Sequence, residues 1–482
     1  MSSTIDRDPP TTASAPARAG RTGPHRQGIR ALLVRLHFYA GVFVAPFLLV
    51  TALTGLVYAF APQLDQLAYG DRLRVEEAGG PTRPLSEQIG AARGAHPEGT
   101  LSSVLTPAGP EDTTRVVLSV PELGERQRTV FVDPYTAEVR GELTTSWGST
   151  PLTTWLGDLH KNLHLGEVGR LYSEVAASWL WVLVAGGLVL WLGGSRGRRA
   201  RSARGVLLPD RAARGVRRTR GLHAATGVWL TLGLLFLSAT GLTWSQYAGA
   251  RFEQLLDTAG GRAPELDTLL PGARPPAGAQ EGEHAGHGGH GASGHAADPD
   301  PAAFDRALAT AREAGLGGAV ALTPPADTSR AWVVAQKDDV WPVHYDQVAV
   351  DTARGEVTAH TRWSDHPLPA KLTKLGIQAH MGVLFGVANQ IVLAVVALGL
   401  ILVVFWGYRM WWQRRPTRDG DRARPGRAPA RGAWRGLPLP LLIAGVPAVA
   451  ALGWALPVLG CTLLGFLAVD VVVGRVRRGQ AN

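Results

Sequence analysis

Apolar residues gather along this chain in five long runs, 38–61, 175–193, 224–244, 383–408 and 437–474. A helix rises about 1.5 Å per residue, so each of the first four can cross roughly 30 Å of hydrocarbon. The fifth is too long for one crossing, and Gly453, Trp454 and Pro457 near its middle divide it into a hairpin of helices over 437–454 and 457–474. The pattern predicts a mainly α, polytopic membrane helical bundle of about six spans. The first run far exceeds the apolar core of a secretory signal and lacks a small-residue cleavage site, so it is read as a retained span.

The polar segments after the first and third runs change period. Helical spacing over Leu85 to Ala95 and over Ala302 to Ala314 precedes strand-like alternation at Arg115–Val120 and Thr129–Val132, and at Ala331–Gln336 and Gln347–Val350. Each segment therefore predicts a small extracytoplasmic α/β module. The chain divides into a disordered cytoplasmic N-terminus (1–30), span one (31–62), module one (63–154), an interfacial segment with span two (155–193) and an Arg-rich loop (194–221). The second half holds span three (222–247), a Gly/Pro/His-rich loop (248–300), module two (301–370) and an interfacial segment with span four (371–412). A second Arg-rich loop (413–436), the hairpin (437–474) and a cytoplasmic tail (475–482) follow.

That order is an internal duplication. His37 and Gly41 open span one as His223 and Gly227 open span three, and Thr54-Gly55 and Thr240-Gly241 each follow their His by the same interval. Val132-Asp133 with Glu138-Val139 matches Val350-Asp351 with Glu356-Val357, and His164-Leu165-Gly166 aligns with His380-Met381-Gly382. The second copy is longer by an insertion in 258–300.

A net charge of +10 would fit a nucleic-acid binder, but its distribution does not. Twenty-eight Arg and five Asp lie in residues 1–36, 194–222, 409–436 and the tail after Gly474, whereas the two long segments between spans are net acidic. The positive-inside rule places both termini and the Arg loops in the cytoplasm and the modules outside, in a multi-pass protein of the cell membrane with the lipid bilayer, not nucleic acid, as its partner.

The histidines carry the candidate chemistry. His37 and His223 fall at the cytoplasmic ends of equivalent helices, and His160, His164 and His380 at the external ends of the other pair. Imidazoles from two facing helices can supply both axial ligands of a haem b, and two such pairs at opposite leaflets would hold two. Gly41 and Gly227 are expected to let the ring or a facing helix approach. Helix-end anchoring is the alternative. Acidic partners for a proton path are missing from spans one to four, and Asp470 in the last span is expected to snorkel toward the interface. His284, His287, His290 and His295 in the inserted loop, with Glu281 and Glu283 beside them, can wrap a borderline metal ion loosely. No nucleotide-binding loop, dinucleotide fingerprint or hydrolase elbow occurs, and Cys461 stands alone. Electrons would come from a cytoplasmic or membrane donor.

These residues resemble the PepSY-associated transmembrane family, which includes siderophore-iron reductases. The resemblance covers roughly 30–475 and rests on Arg35-Leu36-His37, Phe131-Val132-Asp133-Pro134, Leu159-His160, the stretch Leu372 to Gly386 with Asn389-Gln390, and Tyr408-Arg409-Met410-Trp411-Trp412. It implies a haem b bundle that reduces an extracytoplasmic metal or metal-siderophore, with His37, His160, His223 and His380 as ligands. By family position His160 is the ligand, whereas the internal repeat points to His164. The other reading is a non-enzymatic scaffold whose modules bind peptide, protein or metal and regulate a neighbour.

Overall fold

A computed structural model describes residues 24–194, 203–274, 299–413 and 438–479. The first half runs α1 (Pro24–Phe43), α2 (Ala45–Tyr58), α3 (Ala61–Leu73), α4 (Leu85–Ala95), β1 (Thr100–Leu105), β2 (Thr114–Ser119), β3 (Gln127–Val132), β4 (Val139–Thr145), α5 (Pro151–Asn162) and α6 (Gly166–Gly194). After the short α7 (Ala203–Leu207) come α8 (Gly215–Thr243), α9 (Tyr247–Thr258), α10 (Pro301–Glu313), β5 (Val320–Thr323), β6 (Trp332–Gln336), β7 (Gln347–Asp351) and β8 (Glu356–Thr361). Helices α11 (Leu368–His380), α12 (Gly386–Gln413), α13 (Leu439–Ala455) and α14 (Pro457–Gly479) complete the order.

This is a mostly helical membrane protein. Among the described residues, helices α6, α8, α12 and α14 are long and apolar enough to cross a bilayer, and α1 with α2, bent by 55°, passes the same test when taken together. The expected hairpin is present as α13 and α14, but α13 has only 17 residues, so the apolar helices amount to four or five candidate spans where the sequence pattern predicts six.

The bend has a cause in the sequence. Pro46, in the first turn of α2, has no N–H to give the Val42 carbonyl. Tyr408 Oη of α12 donates to that carbonyl at 2.8 Å, satisfying a group that hydrocarbon could not. Asp470 does not simply reach for the interface. It pairs with buried Arg35 of α1, whose guanidinium also lies 4.9 Å over the Tyr39 ring, so α14 is tied to the first span. Trp179 Nε1 of α6 donates to Thr462 Oγ1 of α14 at 2.9 Å.

Outside the bundle, each half contributes a helix and a four-stranded antiparallel meander. Helix α4 covers the predicted Leu85 to Ala95, and the predicted strands correspond to β2, β3, β6 and β7. The two meanders do not stay apart as separate modules. They form one eight-stranded sheet of order β4-β3-β2-β1-β5-β6-β7-β8, joined where Val104 pairs with Leu322 and Leu105 with Ala321. Thr106 N donates to Val320 O at 3.0 Å, and Val320 N returns to Thr106 Oγ1 at 2.9 Å. Pairing β1 with β5 removes two open edges at once. Helices α4 and α10 cover one face, where Ile89, Val104, Val116, Phe304, Leu322 and Val334 are fully buried. Asp305 of α10 accepts from the Leu85 and Ser86 amides at 2.6 and 3.1 Å, capping α4 from the other half.

Candidate functional site

Helices α5 and α11 carry the two outer edges of the sheet back to the membrane, and each ends near a histidine. Thr150 Oγ1 and Thr153 Oγ1 at the start of α5 donate to the two Asp65 oxygens, both at 2.7 Å, fixing α5 on α3. In the second half the β6–β7 loop takes the equivalent role. Tyr345 Oη and Gln378 Nε2 donate to Asp339 Oδ1 at 2.7 and 2.8 Å, and Trp341 N donates to Leu384 O at 2.7 Å. Burial first, then the Asp339 charge, pushes the Tyr345 phenol well above its ordinary range, so it stays a donor. Gln378 is two residues from His380.

His160 and His380 are held in the same way. Thr54 Oγ1 of α2 lies 3.0 Å from His160 Nδ1, and Thr240 Oγ1 of α8 lies 2.6 Å from His380 Nδ1. Each hydroxyl donates its proton one turn back, to Val50 O at 2.9 Å and to Phe236 O at 2.8 Å. With the hydroxyl proton given to that carbonyl, the threonine oxygen accepts from Nδ1–H and Nε2 is the ring nitrogen left free. Such a second partner sets the tautomer and orientation of a metal-ligating imidazole. The Tyr58 ring stacks on His160 at 6.3 Å.

At the other end of the bundle, His37 of α1 and His223 of α8 face each other with ring centroids 6.3 Å apart and planes at 85°. His223 Nδ1 donates to Val403 O of α12 at 2.9 Å, again freeing Nε2. His37 Nδ1 is buried, with the Leu183 backbone of α6 as the hydrogen-bonding group beside its ring. Two imidazole–metal bonds of about 2 Å plus the two ring radii give a centroid separation of roughly 6 Å, so the spacing of this pair is one at which two imidazoles can share a metal ion.

All four rings lie against a glycine of a facing helix. A Cβ on Gly187 would fall 3.0 Å from His37 Cε1, and one on Gly55 2.9 Å from His160 Cε1. On Gly407 it would fall 3.8 Å from His223 Cε1, and on Gly241 3.7 Å from His380 Cε1. Gly41 and Gly227, expected to provide this clearance, have nothing within 4 Å of an added Cβ. The clearance comes from across the helix interface, not from one turn along the same helix.

The structural repeat also separates His160 from His164. His160 and His380 are 220 residues apart, as are Gly187 and Gly407, whereas the alignment of His164 with His380 needs 216. His164 lies beyond the end of α5 with φ of 56°, exposed, its ring 5.0 Å from that of Trp155, and it joins neither pair. His284, His287, His290 and His295 lie outside the described residues. Among those described, no three or more His, Cys, Asp or Glu side chains are grouped to hold a metal ion.

Sequence reasoning missed Thr54 and Thr240 as orienting groups, although their constant distance from His37 and His223 had marked them. It also missed Glu174, buried in α6, whose carboxylate accepts from the Tyr247 and Ala248 amides at 3.1 and 2.9 Å and caps α9.

Comparison with known proteins returns no curated relative that matches the chain. The family model described as PepSY-associated TM region matches residues 34–414, which contain the meanders and all four paired histidines. The chain belongs to the family of the PepSY-associated TM region.

Proposed function

We propose that the chain is a cell-membrane haem b protein that passes electrons from the cytoplasmic side to an extracytoplasmic metal, with a ferric siderophore as the substrate class. The observation that carries this reading is the fourfold motif of an imidazole set against a glycine of a facing helix, two copies at each end of the bundle. His37 and His223 would hold one haem, and His160 and His380 the second. Haem supplies, when bound, a carrier for single electrons. The donor atoms fit that group. Nδ1 of His223 meets a carbonyl, Nδ1 of His160 and of His380 lies against a threonine hydroxyl, and His37 faces His223, so these imidazoles would serve as ligands of that group.

The chain's own residues do the positioning. Thr54 and Thr240 orient the external rings, Asp65 and Asp339 hold the helices that bear them, and the apolar bundle excludes water. The charge pattern of the Arg-rich segments favours, by the positive-inside rule, a cytoplasmic His37 and His223 end and an external sheet. A reduced ferrous ion binds hard oxygen chelators less tightly than the ferric ion, so one electron suffices to release it.

The test is an absorption spectrum of the detergent-purified protein with a pyridine haemochrome assay. Two haem b per chain are expected, falling to one in His37→Ala or His223→Ala and to one in His160→Ala or His380→Ala, with His164→Ala unchanged. A folded protein purified from haem-replete cells without haem would overturn the proposal in favour of the scaffold reading.

A further inference from the structure

Helix α14 brings a charged pair into the bundle beside the inner histidines. Arg35 Nη2 of α1 meets Asp470 Oδ1, and the two side chains are 7 and 27 % exposed. The contact has two rungs. Arg35 Cζ lies 4.9 Å over the Tyr39 ring, one turn along α1, and Tyr39 meets Phe466, one turn before Asp470, with ring centroids 5.5 Å apart. Ionic groups are costly in hydrocarbon, and a buried ion pair seldom stabilises more than an apolar contact of the same size would. Leu459 in the apolar core of the bundle and the Trp179–Thr462 hydrogen bond already hold α14 in place. Anchoring alone therefore leaves the two charges unexplained.

Their position relative to His37 supplies a reason. Residues two apart on a helix point to different sides, so Arg35 turns to α14 while His37 turns to α6 and α8, where it meets Gly187 and His223. The width of a helix, about 10 Å, separates the charge from the imidazole. Leu36, Ala40 and Val44 of α1 pack into the apolar core here, and the mobile ions that screen a charge in water do not enter. At an effective dielectric constant of about 20, a unit charge on the order of 10 Å away changes the balance between the oxidised and reduced forms of a one-electron centre about tenfold. A bare guanidinium favours the reduced form and a bare carboxylate the oxidised form, whereas the pair nearly cancels.

We infer that Asp470 sets the reduction potential at the His37 end: by cancelling the Arg35 charge it holds that end low, so that an electron entering from the cytoplasm passes outward. The inference rests on the proposed function, which assigns a haem to His37 and His223, and it concerns one electron gained or lost there with no bond made or broken. Asp470 lies in α14, beyond the residues 34–414 that the family model matches, so this potential is set partly from outside the matched region.

The test is a potentiometric titration of the full chain in detergent at one fixed pH, with redox mediators and the haem absorbance as the signal. The His160→Ala background keeps the inner haem alone, and the His223→Ala background the outer one. Asp470→Asn should raise the inner midpoint by about 59 mV, a tenfold change in the oxidised-to-reduced ratio for one electron. Arg35→Gln should lower it, by less because Asp470 is the more exposed partner, and the double variant should return close to the parent value. The outer midpoint should stay where it is in all three. A purely structural tie gives shifts of one sign, or none, in the two single variants, and either result overturns the inference, as does an outer midpoint that moves with the inner. If Asp470→Asn does not fold, the sign found for Arg35→Gln decides. A chain that never contains haem overturns the proposed function together with this inference, whereas haem with an unmoved inner midpoint overturns this inference alone.

Discussion

Thr240 Oγ1 stands 2.6 Å from His380 Nδ1, and Thr54 repeats the contact on His160 at 3.0 Å. When each hydroxyl gives its proton to the carbonyl of its own helix, the contact selects which imidazole nitrogen is free. Thr240→Val keeps the shape and deletes the acceptor. It should weaken haem retention at the external pair by about 10- to 100-fold, as loss of an outer partner does at metal sites, and leave the His37 pair loaded. Haem titration of the stripped variant measures it, and wild-type affinity at both sites would contradict the role given to Thr240.

The glycines divide into two classes with opposite outcomes. Gly55→Ala places a methyl 2.9 Å from the His160 ring and Gly187→Ala places one 3.0 Å from His37, so each ring must move. Each variant should lose one haem by the haemochrome assay. Gly41→Ala meets nothing and replaces a poor helix former, so it should leave haem intact and raise stability by up to about 1 kcal/mol.

Tyr408→Phe removes the donor that satisfies the Val42 carbonyl at the bend between α1 and α2. A buried acceptor left unmet costs roughly 1 to 3 kcal/mol, and the loss should appear as a lower thermal midpoint in detergent. Combining it with Pro46→Ala, which returns an amide N–H to the helix, should recover part of that loss.

Asp305→Ala uncaps α4, since its carboxylate meets the Leu85 and Ser86 amides. A cost of about 0.5 to 2 kcal/mol is expected, with haem content preserved. Limited proteolysis between α3 and β1 would report the loosening.

Deleting 280–297 removes the four histidines of the inserted loop from a Gly-rich segment whose shortening costs little closure entropy. Haem content and folding should be unchanged, and metal uptake should fall only when metal is scarce. Calorimetry of the loop peptide with Zn²⁺, Cu²⁺, Ni²⁺ and Fe³⁺ tests whether it binds at all.

The bundle and its candidate ligands were legible because membrane spans announce themselves by length and apolar composition, and because the chain is written twice. His37 and His223 were found by their repeat. The repeat misled at span two, where a His-x-Gly match lined up His164 with His380, because sequence comparison cannot see which ring meets the threonine across the interface. Strands β1, β4, β5 and β8 escaped notice, since short or Gly-broken segments show little alternation. The junction of the halves was invisible for a different reason: nothing local in Leu105 or Ala321 says that one pairs with the other.

That junction sets a clock on biogenesis. The strand bearing Leu105 is made 215 residues before Val320, the first residue of the strand that covers it. At about 5 to 20 residues per second, the interval is roughly 10 to 40 s, during which two spanning helices, α6 and α8, must enter the membrane while a finished half-sheet waits with a bare edge. The first half is thus synthesised as an incomplete object, vulnerable to pairing with a neighbouring copy of itself, and its safe maturation depends on how fast the second half arrives.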